Sequence, residues 1–132
     1  MKILLVEDNE IDVILTTSYL EETYEELKLE VVTNGADAID FLLQQHEHSH
    51  FDEPDLVLLD LNLPKIDGLE VLQVIKNTPN KSHIPFIILS TSILNSDKNF
   101  ALENGALSYM EKPLDVECLK KIISNNSILT KD

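Results

Sequence analysis

Three carboxylates and one lysine stand at positions of this sequence where together they could carry out phosphoryl chemistry. Glu7 and Asp8 follow a first apolar run, Asp60 follows a second, and Lys112 follows a third strand-like run. Carboxylates that converge repel one another unless a hard cation such as Mg²⁺ binds between them. A carboxylate in such a site can attack a phosphoryl group, because Mg²⁺ and a lysine neutralise the charge on the phosphoryl oxygens. The pattern therefore predicts a metal-dependent phosphoryl-acceptor site.

Each residue of this set has a separate expected role. Asp60 is the predicted acceptor, because an aspartate at the end of a buried strand is held rigidly at the mouth of the sheet. The acidic pair after the first run is expected to hold the Mg²⁺, and Lys112 to pair with the phosphoryl group from the other side. Ser90, at the end of the fourth strand, offers a hydroxyl to a phosphoryl oxygen, and Asn62 is placed to lend its backbone carbonyl to the metal.

Each of these residues alone also has an ordinary explanation. An acidic pair after a strand is often only a charge favoured by the dipole of the next helix. A Lys-Pro pair is usually a turn, and a single serine carries no information. A functional site is favoured because all of them fall at the carboxyl ends of predicted strands, where parallel sheets bind their ligands.

Five short apolar runs alternate along the chain with stretches of helical spacing. The predicted strands cover residues 2–6, 29–33, 55–60, 86–90 and 107–111. The predicted helices cover residues 12–22, 36–43, 68–76 and 95–104, with a last helix that opens at Asp115. In the first helix, the residues expected near one face are Ile11, Ile14, Leu15 and Leu20. The predicted fold class is α/β: a doubly wound five-stranded parallel sheet with helices on both faces.

The length and charge of the chain limit its class. The 132 residues predict a single domain over residues 1–132, with a core at about 1–125 and a polar tail at 124–132. The net charge of −14 argues against a nucleic acid or an anionic membrane surface as partner. The apolar runs are too short to span a bilayer. The single cysteine, Cys118, fits a reducing compartment, so the expected location is cytoplasmic.

A polar connection at residues 44–54 is longer than the usual loop between a helix and a strand. Its three alternating histidines, His46, His48 and His50, could bind a transition metal. The alternative is a solvated loop, since no cysteine or fixed geometry supports a metal site. A fourth histidine, His83, is expected to have no special role.

A set of motifs around these residues resembles the response-regulator receiver domain, the CheY-like fold of two-component signalling. The motifs lie at residues 4–9 (LLVEDN), 55–64 (DLVLLDLNLP), 67–68 (DG), 84–92 (IPFIILSTS), 105–106 (GA) and 109–113 (YMEKP). Asp60 and Ser90 are 30 residues apart, and Ser90 and Lys112 are 22 apart, as the family pattern requires. The resemblance extends from residue 1 to about residue 125.

The resemblance implies a role for each matching residue. Asp60 takes the place of the phosphoacceptor, Glu7 and Asp8 that of the acid pocket, and Lys112 that of the family's lysine. The bond from Lys112 to Pro113 is expected to be cis, an isomer that only proline makes accessible at low cost.

Three further positions match the switch and rim of the family site. Ser90 takes the place of the switch Ser/Thr and Tyr109 that of the aromatic switch residue, while Thr91 borders the phosphorylation site. From the residues alone, Tyr109 could equally pack as an ordinary strand residue.

The resemblance also implies cofactor, partners and mechanism. Mg²⁺ is the expected cofactor, a histidine kinase or histidine phosphotransfer protein the expected phosphoryl donor, and a protein the expected downstream target. Phosphorylation is expected to draw Ser90 and Lys112 inward and to let Tyr109 fill the vacated space. The face formed by the fourth helix, fifth strand and fifth helix would then change shape, and could form a homodimer or dock another protein. The chain is expected not to be a conventional enzyme.

Two features narrow the resemblance to a subgroup. The long loop after the second helix and the stretch at residues 34–42 (NGADAIDFL) resemble small stand-alone regulators that serve bacteriophytochrome-type or hybrid kinases. The signatures at residues 61–65 (LNLPK) and 91–92 (TS) support the same subgroup.

Three rival classes fit the sequence less well. A haloacid-dehalogenase-type phosphatase needs a second aspartate two residues after its nucleophile, where this chain has Asn62. A nucleotide-binding Rossmann module needs a Gly-rich turn after the first strand, where this chain has Glu7 and Asp8. A pseudo-receiver that only binds partners usually lacks one of the acid pocket, the acceptor aspartate or the lysine, and here all are present.

Overall fold

The computed structural model of the chain describes residues 1–43, 53–91, 94–126 and residue 128. Its strands are β1 (Lys2–Val6), β2 (Lys28–Val32), β3 (Leu56–Leu59), β4 (Phe86–Ser90) and β5 (Ser108–Glu111). Its helices are α1 (Glu10–Thr23), α2 (Gly35–Leu43), α3 (Gly68–Lys76), α4 (Asn95–Glu103) and α5 (Val116–Asn125). Strand and helix alternate along the chain, as the sequence predicts. His46, His48, His50 and Ser92 lie outside the described residues, as does most of the chain after residue 126.

All five strands are parallel and form one sheet in the order β2-β1-β3-β4-β5. Between β1 and β3 the strand order reverses, and in doubly wound sheets the crevice at this switch point takes the ligand. In register, Val6 of β1 lies between Val32 of β2 and Leu59 of β3, so these strands end at the same level. The predicted fold class is confirmed.

Helices cover both faces of the sheet because the strand side chains alternate between two apolar clusters. On one face, strand residues such as Val57 and Phe86 pack against α2, α3 and α4. On the other face, residues such as Ile3 and Leu58 pack against α1 and α5. The central strands β3 and β4 are buried along their whole length. Over the described residues, no helix combines the length and apolar character that a membrane crossing needs.

The ends of most elements agree with the sequence prediction to within one residue. The first helix is the exception, because it begins at Glu10, two residues before its predicted start. Asn9 explains the earlier start: its side-chain oxygen accepts a hydrogen bond of 3.1 Å from the Asp12 N–H and so caps the helix. The other predicted helix signals are confirmed. Asp115 caps α5, and Gly105 follows α4 with a φ of 103°.

The predicted apolar face of α1 is wrong for three of its four residues. Leu20 is fully buried, but Ile11 and Ile14 are 68% and 66% exposed and Leu15 is 40% exposed. The row of α1 that meets the sheet is formed instead by Val13, Thr16 and Leu20, at helical spacings of three and four. Three of the four apolar residues that the sequence pattern placed near one face of α1 therefore project away from the core.

Gly35, the first residue of α2, contacts the loop that joins β3 to α3. A β-carbon built on Gly35 would lie 1.9 Å from the carbonyl oxygen of Ile66 and 2.7 Å from its carbonyl carbon. No side chain fits in that space, because the obstructing atoms belong to the backbone. The close approach fixes α2 against the loop that carries Asn62.

Gly35→Ala is expected to destabilise the protein by about 2 kcal/mol, because the loop must move to admit the methyl group. Ala36→Gly, at the next position, costs only helix propensity, about 1 kcal/mol, and serves as the control. The measurement is urea unfolding of both variants. Since alanine favours helices, a Gly35→Ala variant more stable than wild type would show that the loop does not oppose the substitution.

Candidate functional site

The backbone ladder of the sheet places three of the predicted site residues at the same edge. The Glu7 N–H donates to the Val32 carbonyl at 3.0 Å, and the Asp60 N–H donates to the Val6 carbonyl at 3.0 Å. The Lys112 N–H donates to the Ser90 carbonyl at 2.8 Å. Each of these residues directly follows the last residue of its strand, and its backbone N–H still donates to the neighbouring strand. These hydrogen bonds fix the backbone positions from which the three side chains project.

The ammonium of Lys112 is the centre of the site. It lies between three carboxylates, and its bonds are 2.6 Å to Glu7 Oε1, 2.8 Å to Asp12 Oδ2 and 3.1 Å to Asp60 Oδ2. An ammonium has three N–H donors, so three carboxylate partners account for all of them. The Lys112–Pro113 bond is cis, as expected. One cation therefore holds together three acidic residues from the β1 end, α1 and the β3 end.

Asp12 is a member of this group that the sequence analysis missed. It lies in the first turn of α1, four residues after Asp8. Side chains in a helix point back toward its N-terminus, which brings Asp12 over the end of β1. The signal that could have identified it was the N-cap at Asn9, because a helix that begins at Glu10 makes Asp12 its third residue and not its first.

Burial makes the charges of the site interact strongly. Glu7 is 1% exposed and Asp60 is 5% exposed. Burial, reinforced by the nearby Asp60, raises the pKa of Glu7 to about 7, although the hydrogen bond from Lys112 opposes this. For Lys112, burial alone would lower the pKa, but its hydrogen bonds to Asp12, Glu7 and Asp60 outweigh burial and raise it. Lys112 therefore stays charged at neutral pH, whereas Glu7 titrates near neutral pH.

Three of the predicted site residues form a group suited to a divalent cation. Glu7, Asp8 and Asp60 each offer one carboxylate oxygen, and these oxygens all lie within 4.8 Å of one another. Glu7 and Asp60 are buried, whereas Asp8 is exposed, so the group opens to solvent on one side. Carboxylate oxygens are the ligands that Mg²⁺ and Mn²⁺ prefer. The donor set fits such an ion.

Backbone donors fix the orientation of two of these carboxylates. The Asn62 N–H donates to Asp60 Oδ1 at 3.2 Å, while Lys112 takes Asp60 Oδ2. The Asn9 N–H donates to Glu7 Oε2 at 3.2 Å, while Lys112 takes Glu7 Oε1. The two oxygens of each carboxylate thus have different partners. The Asn62 carbonyl as a metal ligand stays a prediction.

Ser90 and Tyr109 lie beside the acidic group. Ser90 is 1% exposed, and among the described residues its hydroxyl has no hydrogen-bond partner. A buried hydroxyl without a partner is costly, which makes it suited to a polar group that is added later. Tyr109 is half-buried near Ser90, and burial, together with the negative charges of Asp97 and Asp60, raises its pKa. Thr91, the next residue after β4, is exposed.

His83 lies away from this edge, in the connection that precedes β4. Its Nε2 lies 2.5 Å from Glu53 Oε1, and Lys81 lies 3.6 Å from Glu53 Oε2. The contacts link the segments that lead into β3 and β4, at the end of the sheet opposite the acidic group.

The strand order defines the protein as a doubly wound α/β domain, with an acidic group and a lysine at the carboxyl edge of its sheet. Residues 3–124 match the family model described as "Response regulator receiver domain", and the chain belongs to this family. It is accordingly the receiver domain of a phosphorelay response regulator. A family of this kind implies a kinase partner.

The relatives of the chain are response regulators, among them a phytochrome response regulator. The response regulator Rcp1 of Synechocystis sp. is 38% identical over 121 residues, which are 92% of this chain and 82% of Rcp1. The crystal structure of the phosphorylated cyanobacterial phytochrome response regulator RcpA is similar, with a TM-score of 0.79 and 37% identity over 96% of this chain and 90% of that one.

Two solved relatives contain a divalent metal. The Mn²⁺-bound form of Rcp1 has a TM-score of 0.79 and 36% identity, covering 99% of this chain and 96% of that one. The receiver domain of the sensor histidine kinase PA1611 of Pseudomonas aeruginosa has a magnesium ion coordinated in its active-site cleft. It is 27% identical, with a TM-score of 0.76 and coverage of 94% of each chain. The oxygens of Glu7, Asp8 and Asp60 are the group of this chain that could bind such an ion.

The pKa of Glu7 predicts that Mg²⁺ binds more tightly as the pH rises. A carboxyl must be ionised to bind a metal, and a group with a pKa of about 7 is mostly protonated at pH 6 and mostly ionised at pH 8. The Kd for Mg²⁺ is therefore expected to fall by about tenfold between these two pH values. Calorimetric titration with MgCl₂ at each pH measures it.

Glu7→Gln is the control for this pH dependence, since its side chain does not titrate. The variant is expected to bind Mg²⁺ more weakly and with little change between pH 6 and pH 8. An equal pH dependence in Glu7→Gln and wild type would assign the titration to another group.

Proposed function

We propose that Asp60 accepts a phosphoryl group from a phosphohistidine of a histidine kinase or a histidine phosphotransfer protein. The observation that carries this proposal is the placement of Asp60: its carboxylate is oriented by Lys112 and Asn62 and lies within 4.8 Å of two further carboxylate donors. Glu7, Asp8, Asp60 and the backbone carbonyl of Asn62 would hold the Mg²⁺. When bound, that ion supplies positive charge to the phosphoryl oxygens.

The transfer exchanges one bond for another. A carboxylate oxygen of Asp60 forms a bond to phosphorus while the bond between phosphorus and the donor imidazole nitrogen breaks. The electron pair of the broken bond stays on that nitrogen, and the donor histidine is left neutral after proton exchange with water. Lys112 offers an N–H to a phosphoryl oxygen, because its ammonium already lies 3.1 Å from Asp60 Oδ2.

The switch proposed for the phosphorylated state uses Ser90 and Tyr109. The buried Ser90 hydroxyl is supported in this role because it has no hydrogen-bond partner among the described residues. A phosphoryl oxygen on Asp60 would give it one, and the side chain would move toward the site. Tyr109 lies near enough to Ser90 to occupy the space that is left, and Thr91 borders the site at the rim. Output then depends on the surface of α4, β5 and α5.

This function requires no substrate turnover in the ordinary sense, so we propose that the chain is a phosphoacceptor and not a conventional enzyme. A phosphatase of the haloacid-dehalogenase type would need an acid or base two residues after Asp60. Asn62 occupies that position, and its backbone N–H bonds to the acceptor carboxylate. An amide side chain cannot act as a general acid or base near neutral pH.

Two sets of exposed apolar residues support our proposal of where partners bind. One group, Ile11, Ile14 and Leu15, lies on α1 beside the acidic edge, where a phosphoryl donor has to approach. Further exposed apolar residues lie just before α4 (Leu94), on α4 (Phe100 and Leu102) and just before β5 (Leu107), and make up a second set. We assign the first to the donor and the second to the downstream protein or to a homodimer. The net charge of −14 favours partners with basic or apolar faces and disfavours nucleic acid and anionic membranes.

The similarity to Rcp1 and RcpA supports a phytochrome-type or hybrid kinase as the donor. We place the exchange in the cytoplasm, because a single cysteine suits a reducing compartment.

Asp60→Asn is expected to abolish phosphorylation while the fold remains intact, because the amide oxygen is a poor nucleophile. The measurement is intact mass after incubation with acetyl phosphate, with and without Mg²⁺. Wild type should gain one phosphoryl group only when Mg²⁺ is present. Asp67→Asn is the matched control, because asparagine caps α3 as well as aspartate does and the acceptor is untouched.

Phosphoryl labelling of Asp60→Asn would contradict the choice of acceptor. A wild type that gains no adduct, even with a phosphorylated kinase as donor, would favour a binding module that works without phosphorylation. Light scattering on the phosphorylated sample separates a homodimer from a monomer that docks another protein.

A further inference from the structure

The partners of Lys112 divide into two kinds. Glu7 and Asp60 belong to the group of oxygens suited to a divalent cation, whereas Asp12, as far as the described residues go, is not a member of that group. Yet Asp12 makes one of the short contacts of the ammonium, at 2.8 Å. The carboxylate of Asp12 thus pairs with Lys112 but does not belong to the oxygens suited to a divalent cation.

A cation bound to the site would compete with Lys112 for its partners. When Glu7 and Asp60 share their oxygens with a divalent cation, Lys112 loses hold of two of its three carboxylates. Its side chain is only 8% exposed, so water cannot replace these partners at low cost. Without another carboxylate, the ammonium would keep its place at Glu7 and Asp60 and oppose the incoming cation.

We propose that Asp12 is a positioning residue that keeps Lys112 paired at the edge of the site while Glu7 and Asp60 bind the divalent cation. This inference rests on the proposed function, because it assumes that the acidic group holds Mg²⁺. Asp12 does not touch the metal or the phosphoryl group. It acts through the lysine and lets one site contain both cations.

The first turn of α1 is built to keep Asp12 in this position. The Asp12 N–H donates to the Asn9 side chain at 3.1 Å, and the Asn9 N–H donates to Glu7 Oε2 at 3.2 Å. The chain from Glu7 to Asp12 is therefore fixed by hydrogen bonds within itself. Asp12 is also the most accessible partner of Lys112, with 24% of its side chain exposed against 1% for Glu7 and 6% for Asp60. A partly exposed carboxylate can retain the ammonium at less desolvation cost than a buried one.

The test is a double-mutant cycle read by calorimetric Mg²⁺ titration of the metal-free protein. Asp12→Asn is made in wild type and in Lys112→Met. Glu10→Gln is the matched control, because it removes the same charge from the same turn of α1 and Glu10 is not a partner of Lys112. Circular dichroism on each variant confirms the fold, and Asp12→Glu tests whether a longer carboxylate restores binding if Asp12→Asn does not fold.

In wild type, Asp12→Asn is expected to weaken Mg²⁺ binding by about tenfold, because Lys112 then competes for Glu7 and Asp60. In Lys112→Met, the same substitution should weaken it by only about twofold, the effect of a lost nearby charge and the effect expected of Glu10→Gln. Equal weakening in the two backgrounds would overturn the proposal, because Asp12 would then act on the metal directly. Failure of wild type to bind Mg²⁺ at all would instead overturn the metal site of the proposed function.

Discussion

Neutralising three carboxylates, two of them buried, with a single ammonium is the constraint on which the rest of this structure depends. Parallel strands bring their carboxyl ends to one edge, and in this chain Glu7 and Asp60 follow two neighbouring strands there. Burial, reinforced by the nearby Asp60, raises the pKa of Glu7. Lys112 must reach this edge from the end of β5, across the whole of β4. The order of the strands and the position of Lys112 directly after β5 make that contact possible.

The same constraint makes the site responsive. Because Lys112 has a bond to each of three carboxylates, any new cation or anion at the edge has to change one of those bonds. A divalent cation competes with the lysine, and a phosphoryl group adds charge that the lysine can meet. The buried Ser90 hydroxyl has no partner in the described part of the chain, so it can respond to a group added at Asp60. Ser90 ends the buried strand β4, and its neighbour β5 is partly exposed, so a movement of Ser90 would be passed to the surface through β5.

The sequence predicts the strands and the polar residues at their shared edge well because buried parallel strands are continuous apolar runs with abrupt polar ends. Glu7, Asp60 and Lys112 each stand at such an end, so their convergence follows from topology alone. Asp12 was not predicted, because its contact depends on where α1 begins, and that start depends on the Asn9 cap. The exposed positions of Ile11 and Ile14 were also missed. The spacing of apolar residues can indicate that a helix has an apolar face. Only the packing of the helix decides which face contacts the sheet.

The need of the carboxylates for Lys112 is tested most directly by the stability of the metal-free protein when Lys112 is replaced. Urea unfolding at pH 8 compares wild type with Lys112→Met, and Lys120→Met, an exposed lysine on α5, is the control. Lys112→Met is expected to lose about 3 kcal/mol of stability, because buried carboxylates are left unpaired, and Mg²⁺ is expected to restore more stability to it than to wild type. A Lys112→Met variant as stable as Lys120→Met without metal would contradict the central role of Lys112, since the carboxylates would then not need the lysine.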